Sequence, residues 1–246
     1  MNRYKFKGAH LKWIALISML IDHSAVLLVQ PYMTLYPDSA AAERMETLYF
    51  WMRLLGRIAF PLFAFLLVEG IRHTKSPLKY GLRLFLTALI SEIPFDMAVR
   101  YRLVDLSYQN IFFTLLLGLV CIEALRWMEG QQAKGRPSFG FLRALTLLFF
   151  VAMAELCHTD YGGVGILVIL FMYTLFLQRG TKEKWLSYLI SLIPLFFISP
   201  TSLAAGVCAP LIQSYDGTRG KQNKYFFYLF YPVHLLLLVY LRGIIY

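Results

Sequence analysis

An all-α, polytopic integral membrane protein of about nine transmembrane helices is what this sequence predicts, on three observations. The 246 residues are 59% hydrophobic and only 15% charged, against roughly a quarter charged in soluble domains. Mean hydropathy is +0.59. The apolar residues fall into long runs, and backbone polar groups in hydrocarbon must be satisfied within a helix or a closed barrel. The residue-by-residue alternation of a barrel is absent.

A crossing helix needs about 20 mostly apolar residues, fewer where protein surrounds it. The first candidate, 11–30, follows a basic N-terminus and is too long for a cleaved leader, so it reads as a retained span. Next come 49–71, 82–100 and 109–127, then 141–159 and 162–178 across a turn at Asp160-Tyr161-Gly162-Gly163. Candidates 185–199 and 201–213 are short and meet at Ser199-Pro200-Thr201, as a pair of short helices or a re-entrant hairpin; 226–245 closes the set. The gaps at 31–48 and 128–140 are too short for a soluble core, so 1–246 is expected to form one transmembrane domain. No internal repeat stands out, which weighs against a transporter of two inverted halves.

The net charge is +10, yet the basic residues cluster at the ends of apolar runs, which is a topology signal and not a nucleic-acid one. With the N-terminus inside, 18 of the 24 Lys and Arg residues fall on inner flanks. That bias predicts N-in, C-out, an odd number of spans and a multi-pass place in the cell membrane, with the lipid bilayer as partner and no nucleic acid. Cys121, Cys157 and Cys208 lie in apolar segments without a CxxC neighbour, so no metal or disulfide framework is expected.

On this topology the ionisable residues of five spans gather toward the outer side. Asp22 and His23 lie in span 1, Arg53 and Arg57 one turn apart in span 2, and Glu92 and Asp96 one turn apart in span 3, with Pro94 between them bending the helix. Gln109 and Asn110 open span 4; Glu155, His158, Asp160 and Tyr161 end span 5. Charged groups inside a membrane are costly, and so many at one depth suggest a hydrated functional cavity. Each has a plainer role too: Arg53 and Arg57 as interface anchors, Glu92 or Asp96 as their counter-ions, Asp160 and its neighbours as a tight turn. His23 has the strongest claim to chemistry, as a general base held by a carboxylate. Adjacent helical residues point about 100° apart, so Glu92 or Asp96 is expected to partner His23 in preference to Asp22.

A second polar set marks the inner side. Glu69-Gly70-Ile71-Arg72-His73-Thr74 ends span 2, Arg83 starts span 3, and a loop with Tyr215, Asp216, Gly217, Arg219 and Lys221 leads toward Lys224. Glycines permit close backbone approach while Arg and Lys supply charge for phosphate, so a nucleotide or coenzyme phosphate fits here, as does a simple positive-inside loop. His234 in the last span is the second histidine placed for chemistry.

Seven segments in order, Ile21-Asp22-His23, Gly56-Arg57-Ile58-Ala59-Phe60-Pro61, Glu69-Gly70, Ser91-Glu92-Ile93-Pro94-Phe95-Asp96, Gln109-Asn110-Ile111-Phe112-Phe113-Thr114, Asp160-Tyr161-Gly162 and Phe230-Tyr231-Pro232-Val233-His234, resemble the TraX family over nearly the whole chain. That family belongs with the transmembrane acyltransferases, which include lysosomal heparan-α-glucosaminide N-acetyltransferase. Its Tyr-Asn-Gly-x-Arg-Gly pattern stands here as Tyr215-Asp216-Gly217-Thr218-Arg219-Gly220, with Asp for Asn.

The resemblance implies transfer of an acetyl group from acetyl-CoA, across the membrane, to an acceptor amine such as a pilin N-terminus or an amino sugar, or to a hydroxyl. Arg83, Tyr215, Asp216, Arg219, Lys221 and Lys224 would then hold the coenzyme. His23 would act as base or acetyl carrier, helped by Asp22, Glu92, Asp96 or His234, while Arg53, Arg57, Gln109, Asn110, Glu155, Asp160 and Tyr161 would face the acceptor or the oxyanion. The rival readings are a secondary transporter or proton-coupled permease lined by the same cluster, and a membrane scaffold with buried ion pairs. The oligomeric state is open.

Overall fold

The chain begins in a long rod: α1 (Gly8–Ser24) runs through a π-helical turn at Ala25–Val29 into α2 (Gln30–Leu35). The computed structural model describes residues 5–134, 139–178 and 182–246, and the side chains of Leu177, Gln178 and Lys224 lie outside that description. The expected roles of Arg3, Arg136 and Arg179 in the charge bias, and of the Lys224 side chain in phosphate binding, therefore fall outside the described residues.

Two helices follow almost end to end, α3 (Ala42–Gly56) and α4 (Ala59–His73). The break at Arg57-Ile58 has a chemical cause, because Pro61 has no N–H to extend the hydrogen-bond ladder across it. Ser18 of α1 donates its hydroxyl to the carbonyls of Leu55 and Gly56, at 2.7 and 3.2 Å, so the interruption is satisfied from a neighbouring helix. Helix α5 (Pro77–Val99) starts on Ser76, whose Oγ accepts from the Lys79 amide, and runs unbroken through Pro94. Helix α6 (Ile111–Ala133) starts on the Asn110 side chain, which accepts from the Phe112 amide at 3.0 Å. Then come α7 (Gly140–Leu156), α8 (Gly162–Met172), α9 (Lys184–Ser191), 3-10 segments at Ile193–Phe197 and Pro200–Cys208, α10 (Ala209–Gln213) and α11 (Lys224–Ile245). No strand occurs among the described residues.

Among the described residues, four stretches are long and apolar enough to cross a membrane: Gly8–Leu35, Ala42–His73, Ile111–Ala133 and Tyr225–Ile245. The chain is thus a helical membrane protein, but nine spans are not supported. Helix α8 continues through a π-helical stretch at Tyr173–Gln178 and α9 into the 3-10 turn, yet the apolar helices so formed, Gly162–Phe176 and Lys184–Phe197, are still short for about 30 Å of hydrocarbon. Pro194, Pro200 and Pro210 divide the expected seventh and eighth spans into short pieces. Helix α5 has the length, but Arg83, Glu92 and Asp96 interrupt its apolar character. With the count of nine gone, the parity argument for N-in, C-out termini loses its basis.

Helices α1, α4, α6, α8 and α11 share one core that includes Leu11, Leu62, Phe65, Leu119, Ile166 and Ile169. Small residues bring helices together. A Cβ on Gly118 of α6 would come within 2.6 Å of Ile169 in α8. One on Gly56 would lie 2.1 Å from the carboxylate of Asp22. On α7, Phe141, Leu148, Phe149 and Leu156 project from the bundle, the surface a bilayer would cover.

Gly56→Ala is therefore expected to push Asp22 out of place and destabilise the fold by about 1–3 kcal/mol. Thermal unfolding in detergent checks it; an unchanged midpoint would contradict the close packing of α1 on α3.

Candidate functional site

The first and last long helices meet through their histidines. His23 Nδ1 of α1 lies 2.6 Å from His234 Nε2 of α11, with the two rings within 6° of parallel. His234 is buried, and its Nδ1 donates to the Phe230 carbonyl at 2.7 Å, one turn back on its own helix. Tyr231 sits edge-on to both rings, 5.8 Å from His23 and 5.6 Å from His234 between centroids. Two of the residues expected to do chemistry are thus in direct contact although 211 positions separate them.

The expected carboxylate partners of His23 are engaged elsewhere. Glu92 accepts from the side chain and backbone amides of Asn110. Asp96, fully buried, accepts from the Asp105 amide at 2.7 Å. Both brace the connection between α5 and α6. Asp22 pairs with Arg53 at 2.7 Å. The counter-ion of Arg53 is thus Asp22 and not Glu92 or Asp96, the plainer role open to those two; Gly56, without a Cβ, leaves room for the Asp22 carboxylate.

A compact polar cluster surrounds that ion pair. Asp22 Oδ1 is buried with no hydrogen-bond partner among the described residues. Arg57, at the helix break, lies within electrostatic reach of Asp22, Asp160 and Tyr161. The segment 157–161 joins α7 to α8 and pairs with the segment before α6: Gln109 donates its amide to the His158 carbonyl and accepts from the Asp160 amide, at 3.0 and 2.9 Å. Tyr108 donates to the Asp160 carboxylate at 2.7 Å, and Thr114 donates to the Asp160 carbonyl. Tyr161 takes a left-handed backbone, φ 65°, and stacks on Phe60 at 4.0 Å. The turn reading of this segment therefore holds, and the turn also carries polar groups to Arg57. Glu155 does a different job: it accepts from the Gly163 amide at 2.7 Å and so caps α8.

Burial lifts the Asp160 carboxyl to about 6, against the Tyr108 hydrogen bond, which pulls it down; the nearby Asp22 charge adds to the rise.

A cavity of about 350 Å³ opens between α1, α4, α5 and α11. Its lining includes Lys12, Lys75, Arg83 and Arg219, of which Lys75, Arg83 and Arg219 are exposed and mark its mouth, and also Phe112 and Tyr231, which pack edge to face. Tyr231 is a lining residue that also packs against both histidine rings. Of the six residues expected to bind coenzyme, Arg83, Tyr215 and Arg219 line it; Asp216 and Lys221 do not. Asp216 instead closes its own turn, accepting from the Thr218 amide and hydroxyl at 2.8 and 2.7 Å, and these bonds hold its carboxyl below the usual range. An Asn at this position would offer the same side-chain oxygen, so the departure from the family pattern is conservative. The loop is fixed to the N-terminal segment, with the Gly8 and Ala9 amides donating to the Thr218 and Arg219 carbonyls at 2.8 and 3.0 Å.

Sequence reasoning missed Lys12, Tyr80, Gln222, Tyr228 and Tyr231 as wall residues. Lys12 looked like a topology charge; its Nζ in fact donates to Gln222 at 2.6 Å across the mouth. Tyr231 stood inside a motif whose histidine drew the attention, and the Tyr-x-x-His spacing, one helical turn, was the available signal.

These features define a helical membrane protein with a basic-mouthed cavity that shares Tyr231 with a partly buried histidine pair. Residues 7–242 match the family described as TraX protein, and the chain belongs to the TraX family. It is 28% identical over 256 residues to the probable fimbrial assembly protein FimC, serogroup H1, of Dichelobacter nodosus, covering 95% of this chain and 94% of that one. It is 26% identical over 243 residues to Protein TraX of Escherichia coli, covering 93% of this chain and 84% of that one. No solved structure matches.

The Asp160 shift gives a pH prediction. Its folded value of about 6 lies above the unfolded 3.8, so its contribution to stability is full below about pH 4 and is lost as pH rises through about 6. Unfolding midpoints should fall over that window in the wild type and fall less in Asp160→Asn. Identical pH curves would contradict the buried setting of Asp160.

Proposed function

We propose that the chain is an integral, multi-pass cell-membrane acetyltransferase that moves an acetyl group from cytoplasmic acetyl-CoA to an amine acceptor presented from the other side. The observation that carries this reading is a basic-mouthed cavity whose wall residue Tyr231 also packs against the His23–His234 pair. The wider kinship with transmembrane acyltransferases, heparan-α-glucosaminide N-acetyltransferase among them, rests on the ordered motifs.

The cavity volume falls in the range of small-molecule sites. Lys12, Arg83 and Arg219 would meet the phosphates of the donor at the mouth, and the apolar wall of Leu16, Met19 and Phe63 would hold its extended arm. The excess of Lys and Arg on that side fits a cytoplasmic mouth. The thioester carbon would stop near Tyr231, within one ring of His23.

The acceptor would approach through the Asp22, Arg57 and Asp160 cluster. An amine attacks only when neutral, so a carboxylate there would first take one proton from the ammonium, and His23 would take the second as the new C–N bond forms. Arg57, which makes no salt bridge among the described residues, would serve a developing oxyanion. The name of the Dichelobacter relative, a probable fimbrial assembly protein, favours a pilus subunit as acceptor.

Purified protein given labelled acetyl-CoA and an amine should yield the labelled amide. His23→Ala should lower kcat by about 100-fold or more. Arg219→Ala should raise KM for acetyl-CoA by about 10-fold with little change in kcat. Full activity in His23→Ala would remove the role given to it. Absence of coenzyme binding, with solute flux in proteoliposomes, would favour the transporter reading instead.

A further inference from the structure

We infer that His234 is a positioning residue which, through hydrogen bonding alone, makes Nε2 the reacting nitrogen of His23. The catalytic consequence rests on the acetyl-transfer reading above; the hydrogen-bond order does not.

A neutral imidazole has one N–H and one lone pair. The Phe230 carbonyl can only accept, so His234 Nδ1, 2.7 Å away, carries the hydrogen. His234 Nε2 therefore presents its lone pair to His23 Nδ1 at 2.6 Å. That contact is a hydrogen bond only if His23 Nδ1 is the protonated nitrogen. The lone pair of His23 is then left on Nε2. One backbone carbonyl thus fixes the tautomers of two histidines in series.

This orienting role is more often filled by a carboxylate. Here Asp22, Glu92 and Asp96 are bonded to Arg53, Asn110 and Asp105 respectively. A neutral histidine suits an interior site because it orients the ring without burying a charge.

The same geometry balances the reaction. As the C–N bond forms, His23 Nε2 takes the proton of the acceptor nitrogen, and its Nδ1–H stays on His234 Nε2. As the C–S bond breaks, the proton passes from Nε2 to the leaving sulfur. His234 ends each cycle unchanged and never needs to exchange a proton.

The far end of α11 is latched in a way that keeps this register. Arg242 donates to the Met97 and Ala98 carbonyls at 3.0 and 2.9 Å, at the end of α5. Tyr246 donates its hydroxyl to the Leu28 carbonyl inside the π-helical turn that follows His23. Such π turns recur at functional sites, where they re-aim neighbouring residues.

Two arms test the inference. In 15N-histidine NMR of the wild-type protein in lipid nanodiscs, with His23 assigned by its loss in His23→Ala, the expected result is a protonated Nδ1 and a bare Nε2. A protonated Nε2 would overturn the inference whether or not the protein transfers acetyl. In the activity arm, glutamine places an acceptor oxygen near the site of His234 Nε2. His234→Gln should keep kcat within about 10-fold, while His234→Ala should lose about 100-fold in kcat with KM for acetyl-CoA unchanged. Equal losses in the two variants, or none in His234→Ala, would overturn it. A wild-type protein without acetyl transfer would contradict the proposed function and leave the NMR arm to decide this point.

Discussion

The 2.6 Å contact between His23 and His234 ties the first long helix to the last. Among the described residues neither ring pairs with a carboxylate, so each depends on the other, and on a helix carbonyl, for its hydrogen-bond order. For the contact to form, α11 must stand in fixed register against α1 and α5. The Arg242 and Tyr246 bonds at the end of α11, and the departure from α-helical geometry at Ala25–Val29, set that register. The rest of the site is arranged on the two sides of this contact.

On one side lies a cavity with cations at its mouth and apolar walls toward Tyr231. On the other, Asp22, Arg53, Arg57 and Asp160 form a polar cluster that the helix break at Arg57 makes affordable. A break in an unsupported helix would leave carbonyls bare in a low-dielectric setting, at a cost of several kcal/mol each. Ser18 shares its one hydroxyl hydrogen between the carbonyls of Leu55 and Gly56, and the Ile58 amide also donates to the Leu55 carbonyl. Gly56, which ends α3, carries no side chain and so lets the Asp22 carboxylate sit against the helix backbone. A cavity with a cationic mouth on one side of a proton acceptor, and a mixed-charge cluster on the other, suits a reaction between two substrates that never share a compartment.

Much of this was legible in the sequence. Hydropathy fixes the class because a chain so poor in charge cannot make a soluble surface. The convergence of Asp22, Arg53, Arg57, Asp160 and Tyr161 was legible because successive runs alternate in direction, which brings the later half of 11–30, the start of 49–71 and the end of 141–159 to one side. The number of spans was not, since a run of apolar letters does not reveal that Pro194, Pro200 and Pro210 divide it into short helices. The partner of His23 was not legible either: helix periodicity links residues three or four apart, and nothing local links positions 23 and 234. Lys12 and Tyr231 were hidden for a related reason. Each had a sufficient local explanation, as a flanking charge and as a motif aromatic, and only the packing of α1 against α11 brings them to one cavity.

The most direct test of the account separates the two substrates by a membrane. Sealed proteoliposomes would hold labelled acetyl-CoA on the side of the Lys12 and Arg219 mouth and a pilin N-terminal peptide on the opposite side. The account predicts labelled peptide on the far side, with free coenzyme retained on the near side. Label appearing only when both substrates share one compartment would contradict it.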